Sequence, residues 1–176
     1  MRTVFFLAGF ISAIMSVPSC AEETLTAPNF SDYPVAVYTG KIYIPSYYTK
    51  SKDGWRDDMG KEVAPIAVNF SGKYYIGLHS CGAECRYYTL SDLSTGKDFK
   101  TLDVFSTDGD QPKKTGDGHT FVTDLISRPD SKAFIARYHI DSKNNSPEEC
   151  RERFFILSED GVKITAITKT IHSCAN

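Results

Sequence analysis

The chain has 176 residues, with 20 lysines and arginines against 22 aspartates and glutamates and a formal net charge of -2, so no field of either sign recruits nucleic acid or an anionic membrane surface. Hydrophobic residues make up 41% and charged residues 24%, the proportions of an ordinary globular protein and not of a disordered, collagen-like or polytopic membrane chain. The 10 tyrosines and 11 phenylalanines are enough to enclose one core.

Residues 1–21 read as a secretory leader: Met1-Arg2-Thr3, an apolar run over 4–17, then Pro18-Ser19-Cys20-Ala21 ahead of Glu22-Glu23. The run falls short of the ~20 apolar residues that cross hydrocarbon, so a cut after Ala21 predicts a mature chain without a membrane span, a single β-rich domain over 22–176. In the alternative cut, Val17-Pro18-Ser19-Cys20 acts as a lipobox, which Pro18 fits poorly, and Cys20 anchors a lipoprotein.

Along the mature chain, residues 36–44 predict a strand pair or a strand bent at Gly40. Residues 53–63 predict the one short helix, with Asp53 as N-cap and Trp55, Met59 and Val63 at i, i+4 and i+8, weakened by Gly54 and Gly60. Residues 73–79 alternate as a strand. Residues 86–93 and 99–105 flank the turn Ser94-Thr95-Gly96-Lys97, and residues 120–126 and 133–140 flank Arg128-Pro129-Asp130-Ser131. Residues 153–157 and 162–168 flank the tight-turn signal Asp160-Gly161. The intervening stretch 106–119 reads as an exposed loop. The predicted fold class is α+β, mainly antiparallel β as a hairpin-rich sheet or sandwich, with one short helix and two disulfides.

Of five cysteines, both leader readings consume Cys20 and leave Cys81, Cys85, Cys150 and Cys174, an even set that admits three pairings in an oxidising compartment. Spacing favours Cys81 with Cys85 across a loop with Gly82 at its tight point, and Cys150 with Cys174 across the last hairpin. The register of that hairpin places Cys150 opposite Ile171, so the tail must fold back to bring Cys174 in.

Three segments, Asn69-Phe-Ser-Gly-Lys-Tyr-Tyr75, Ser80-Cys-Gly-Ala-Glu-Cys85 and Asp92-Leu-Ser-Thr-Gly-Lys97, preceded by Phe30-Ser-Asp-Tyr-Pro-Val35, resemble a group of small exported proteins of Gram-negative bacteria. The likeness covers most of residues 30–97 and extends more loosely to Ser127-Arg-Pro-Asp-Ser-Lys132 and the final hairpin. The chain departs from the group at Leu78-His79-Ser80, where an aromatic residue and a glycine commonly precede the first cysteine. The resemblance implies export, hence the periplasm, and a β-rich fold; it assigns no catalytic residue.

Two chemistries compete. In one, the protein is a non-enzymatic binding, inhibitor or immunity-type protein of the cell envelope, without cofactor or catalytic residue. Its partner is another envelope or secreted protein, met at aromatic edges carrying Tyr47, Tyr48, Tyr87 and Tyr88 beside the stapled hairpin. In the other, His79, Cys81 and Cys85 form a soft site for copper or redox chemistry. Oxidation of thiols outside the cytoplasm favours the first. Asp108, Asp110 and Asp117 do not make a calcium loop, because Pro112 occupies a ligand position.

Overall fold

The computed structural model describes residues 28–82, 85–109, 113–142, 147–171 and 173–174. The expected leader over 1–21, including Cys20, lies outside them, as do Asp110 and Pro112 of the acidic loop. Among the described residues no helix is long and apolar enough to cross a membrane.

The architecture is three antiparallel sheets, each a meander of chain-adjacent strands. The first joins β1 (Thr49–Ser51), β2 (Gly54–Arg56) and β3 (Glu62–Val63). The second joins β4 (Tyr74–Ser80), β5 (Arg86–Asp92) and β6 (Lys97–Phe99). The third joins β7 (Phe121–Ser127), β8 (Ala133–Ile140), β9 (Glu149–Leu157) and β10 (Ile164–Ala166), in the spatial order β10-β9-β8-β7.

The β4-β5-β6 sheet is the middle layer, and the two-residue period of its strands explains why. Tyr74, Ile76, Tyr88 and Leu90 point one way and pack with Phe134, Ala136, Phe155 and Leu157 of the four-stranded sheet, closed by Phe70, Leu102 and Phe105. Tyr75 points the other way and joins Tyr48, Ile66 and Leu93 in a smaller core with Trp55 and Val63 of the β1-β2-β3 sheet against it. Strands buried on both faces lose the apolar-polar alternation of a one-sided sheet, which is why β4 is buried from Tyr74 through Gly77.

The expected helix over 53–63 is instead the end of one hairpin, β1-β2, and the whole of the next, β2-β3. Ser51 Oγ donates to the Gly54 carbonyl and accepts from the Asp53 amide, closing the β1-β2 turn, and Gly54 takes a φ of 142°. Trp55 and Val63, which an eight-residue spacing places on one helical face, are direct cross-strand partners. Two 3-10 turns, Phe30–Asp32 and Asp103–Phe105, are the helical elements among the described residues, so strand 99–105 also ends early, at Phe99. Residues 36–44 form no ladder: the Val35, Tyr38 and Tyr43 amides donate to three separate places, the carbonyls of Asp130, Gly72 and Leu93. The loop after residue 105 starts buried, Ser106 and Thr107 each being 5% exposed, because the Thr107 amide donates to the Arg86 carbonyl.

Both disulfides are present, Cys81–Cys85 with Cα atoms 5.0 Å apart and Cys150–Cys174 at 5.6 Å. The register problem in the last hairpin is solved by a slip. Leu157 pairs with Ile164 and Phe155 with Ala166, but further out Glu152 pairs with Ile171, so the tail has gained two residues on β9. Phe154 spans the slip, donating its amide to Thr168 Oγ1 and accepting at its carbonyl from the Ile167 amide. That gain brings Ser173 level with Cys150 and Cys174 within one residue of it, close enough to bridge.

Candidate functional site

The site grows from the face of β4 and β5 turned toward the β1-β2-β3 sheet. On that face Gly77 pairs with Thr89 and His79 with Tyr87. Gly77 leaves the room that the site fills: a Cβ there would run into the Tyr48 hydroxyl and Thr89 Oγ1 and lie 3.1 Å from His79 Nε2. Tyr48, carried in by the turn before β1, lays its ring on the imidazole at 5.6 Å and 19°, and Tyr87 stacks at 4.5 Å and 7°. Tyr47 meets the imidazole edge-on at 5.6 Å. His79 is therefore enclosed, 1% exposed.

Its two nitrogens face different company. Nε2 is 3.2 Å from both the Tyr48 hydroxyl and Thr89 Oγ1. Nδ1 has no hydrogen-bond partner among the described residues and lies 3.8 Å from Asp57 Oδ2 and 3.8 Å from Asp58 Oδ1. Burial pushes the His79 pKa below its ordinary value, against the pull of Asp58 and Asp57 toward the charged form. Asp57 and Asp58 open the β2-β3 turn. The Met59 and Lys61 amides donate to Asp57 Oδ1 at 3.0 and 2.8 Å, which fixes the buried carboxylate with Oδ2 toward the imidazole. Asp58 is half exposed and accepts from the Tyr87 hydroxyl at 3.3 Å.

Beside this cluster a cleft of about 390 Å³ opens to solvent, bordered by Tyr47, Tyr87, Asp98, Lys100, Asp103 and Asp108. Tyr47 is held by hydrogen bonds to Ser91 Oγ and Asp98, and Ser91 Oγ donates to Asp98 Oδ1 at 2.6 Å. Burial raises the Tyr47 pKa, as it does that of Tyr87, where Asp58 adds to the effect; both hydroxyls keep their protons at neutral pH.

The four tyrosines singled out in the sequence thus part company. Tyr47 and Tyr87 are half-buried and line the cleft. Tyr48 is 5% exposed and braces His79. Tyr88 borders the cleft but sends its ring into the opposite core, 4% exposed, where its hydroxyl donates to the Thr123 carbonyl and burial pushes its pKa up to about 12. Of the soft-ligand set, the two sulfurs of Cys81 and Cys85 are bonded to each other, so a site built from His79, Cys81 and Cys85 requires that bond to be reduced. The residues that do face His79, Asp57 and Asp58, were absorbed by the helical reading of 53–63; Gly54 and Gly60 on either side of them were the local sign of turns.

Away from the cleft, three of the segments quoted from the sequence, 30–35, 69–75 and 127–132, meet one another. Asn69 holds the edge of β4, donating from Nδ2 to the Ile76 carbonyl at 2.9 Å and accepting from the Ile76 amide at 2.7 Å. Ser71 and Gly72 turn with φ of 44° and 78°, a Cβ on Gly72 would strike the Ala36 carbonyl, and their amides donate to the Ser131 and Pro129 carbonyls. Ser131 in turn donates to the Phe30 carbonyl at 2.8 Å. These residues tie sheets together. Comparisons with protein-family models, curated proteins and solved structures found no match to this chain.

Proposed function

We propose that the protein is an exported, non-enzymatic binding protein of the cell envelope, of the inhibitor or immunity type, and that its cleft receives a cationic side chain of an envelope or secreted protein. One observation carries the reading: two half-buried tyrosine rings, Tyr47 and Tyr87, stand among the carboxylates of Asp98, Asp103 and Asp108 with Lys100 as the single cation of the lining. An arginine or lysine gains twice there, from the negative charge and from the ring faces, in a place already part-desolvated. The rings are fixed before anything arrives, Tyr47 by Ser91 and Asp98 and Tyr87 by Asp58 and the stacked imidazole. Little side-chain entropy is left to lose on binding. The leader read over residues 1–21 and the two disulfides support the periplasm as the place where this happens.

Site-specific photocrosslinking in the native host tests this directly. With p-benzoylphenylalanine in place of Tyr87, irradiation should give a discrete protein adduct, and Asp103→Lys with Asp108→Lys should suppress it at least tenfold. The same probe in place of Thr165, exposed on edge strand β10, should give none. Equal adducts at both positions, or none at position 87, would contradict the proposal.

A further inference from the structure

We infer that Asp57, Asp58 and His79 form a binding site for a single divalent cation of the zinc class, at the seam where the β2-β3 turn meets the end of β4. The assignment does not rest on what occupies the cleft, although Tyr87 touches both places. The three side chains each offer one ligand atom, and these atoms lie within 4.8 Å of one another.

Two buried groups at this seam, a ring nitrogen without a hydrogen bond and a carboxylate without a counter-charge, are incompletely answered among the described residues. His79 Nδ1 is enclosed and has no hydrogen bond among the described residues, with the two carboxylate oxygens each at 3.8 Å. An orphaned buried nitrogen is costly, on the order of 1–3 kcal/mol. The Asp57 carboxylate is 2% exposed, yet among the described residues neither it nor Asp58 makes an ion pair with a lysine or arginine. Arg56, next in sequence, donates from its guanidinium to the Gly60 carbonyl at 2.9 Å, and Lys61 donates its ammonium to the Ser80 carbonyl. A cation between the three atoms answers both deficits at once.

The tautomer fits. If Nδ1 gives its lone pair to a metal, Nε2 must carry the proton, and it has two acceptors waiting, the Tyr48 hydroxyl and Thr89 Oγ1, each at 3.2 Å. A ligating histidine that donates its other nitrogen to a fixed partner is the usual arrangement behind a metal ligand. Asp57 is likewise prepared, its Oδ1 tied to two backbone amides with Oδ2 left over. Zinc bonds of 2.0–2.2 Å to nitrogen and carboxylate oxygen put ligands of a tetrahedral site about 3.3–3.5 Å apart. The imidazole-to-carboxylate distances of 3.8 Å exceed that by roughly half an ångström each; half-exposed Asp58 can close its own gaps by rotation, and the gap to Asp57 needs a small shift of the β2-β3 turn toward β4. One imidazole with two carboxylates selects a borderline ion over calcium or magnesium, which take oxygen alone, and over Cu(I), which takes sulfur. Three protein ligands leave a fourth position for water or for a group brought by a partner.

The test uses the oxidised protein, purified without reductant so that no thiolate can serve as ligand, stripped with chelator and titrated with zinc sulfate against a chromophoric chelator. The expected result is one zinc per chain, with Asp58→Asn and Asp57→Asn each weakening binding at least tenfold. The cobalt-loaded protein should show visible absorption of a four-coordinate ion that Asp58→Asn removes. Because His79 and Asp57 are buried, Asp58→Asn carries the decision: its side chain is 52% exposed, so its zinc-free circular dichroism and thermal midpoint should match the parent. Substoichiometric zinc, equal affinity in the parent and both variants, or preference for calcium or magnesium over zinc would overturn the assignment.

Discussion

Gly77 shows how one missing Cβ organises a site. Had any other residue stood there, the Tyr48 hydroxyl, Thr89 and the His79 ring could not converge. Gly77→Ala should therefore lower the free energy of unfolding by about 1–3 kcal/mol, the usual cost of overpacking a filled interior, as read from urea denaturation; an unchanged midpoint would mean that the stack around His79 is loose. Asn69 works in the opposite sense, by adding groups. It pairs with the amide and the carbonyl of Ile76 as a neighbouring strand would, so Asn69→Ala should cost about 2 kcal/mol, near 1 for each hydrogen bond lost. Asn69 and Gly72 were visible in the sequence as parts of a motif, but their tasks were not. Each task depends on a partner removed in sequence and brought near by the fold: Ile76 across a turn for Asn69, the Ala36 carbonyl for Gly72.

The hairpins β4-β5, β7-β8 and β9-β10 were legible because their signals are local, a period-2 alternation broken by turn residues; of β5-β6 only the reversal was, since its second strand was expected over 99–105 and runs Lys97–Phe99. Asp92 illustrates the chemistry of one such turn: its Oδ1 accepts from the Ser94 amide at 2.9 Å, and Gly96 with a φ of 77° lets the chain reverse into β6. Trp55 and Val63 were misread because a spacing of eight fits both one face of a helix and two partners across a five-residue turn, and only burial against β4 and β5 separates the two. The slip that brings Cys174 to Cys150 was legible as a need, not as a mechanism. The disulfides themselves differ in weight. By the chain-entropy relation, the bridge with a sequence separation of 24 contributes about 3 kcal/mol and that with a separation of 4 about 2 kcal/mol or less. Replacing Cys150 and Cys174 by serine should thus lower the unfolding midpoint more than the same change at Cys81 and Cys85, by calorimetry; the reverse order would show that the tip of β4-β5 carries the strain of the fold.

Across the whole molecule, charge is almost balanced, so pH acts through particular pairs and not through net repulsion. Lys73 and Asp92 make a bond of 2.9 Å beside the middle sheet. Burial disfavours the Asp92 carboxylate, but hydrogen bonds from Ser94 and Lys73 outweigh it and hold its pKa below 3.8. The Asp92 hydrogen bond, partly opposed by burial, raises the Lys73 pKa above 10.5. A depressed folded-state carboxyl stabilises the fold at pH above its unfolded value and loses that contribution as pH falls through the folded one; a raised lysine does the reverse on the alkaline side. Stability should hold a plateau above neutrality, begin to fall below about pH 6.5, where the unfolded chain but not buried His79 takes up a proton, and fall further below about pH 4, with Asp92→Asn flattening the acid limb between pH 5 and 2 in urea titrations. The same overall neutrality makes the acidic cleft a local feature, and the proposal that it takes a cationic side chain can be tested without knowing the partner. In an NMR titration of the isotope-labelled protein with a short arginine-rich peptide, shifts should cluster at Tyr47, Tyr87, Asp98, Asp103 and Asp108 and leave β7 to β10 unmoved; shifts that are absent, or centred on the four-stranded sheet, would contradict the account.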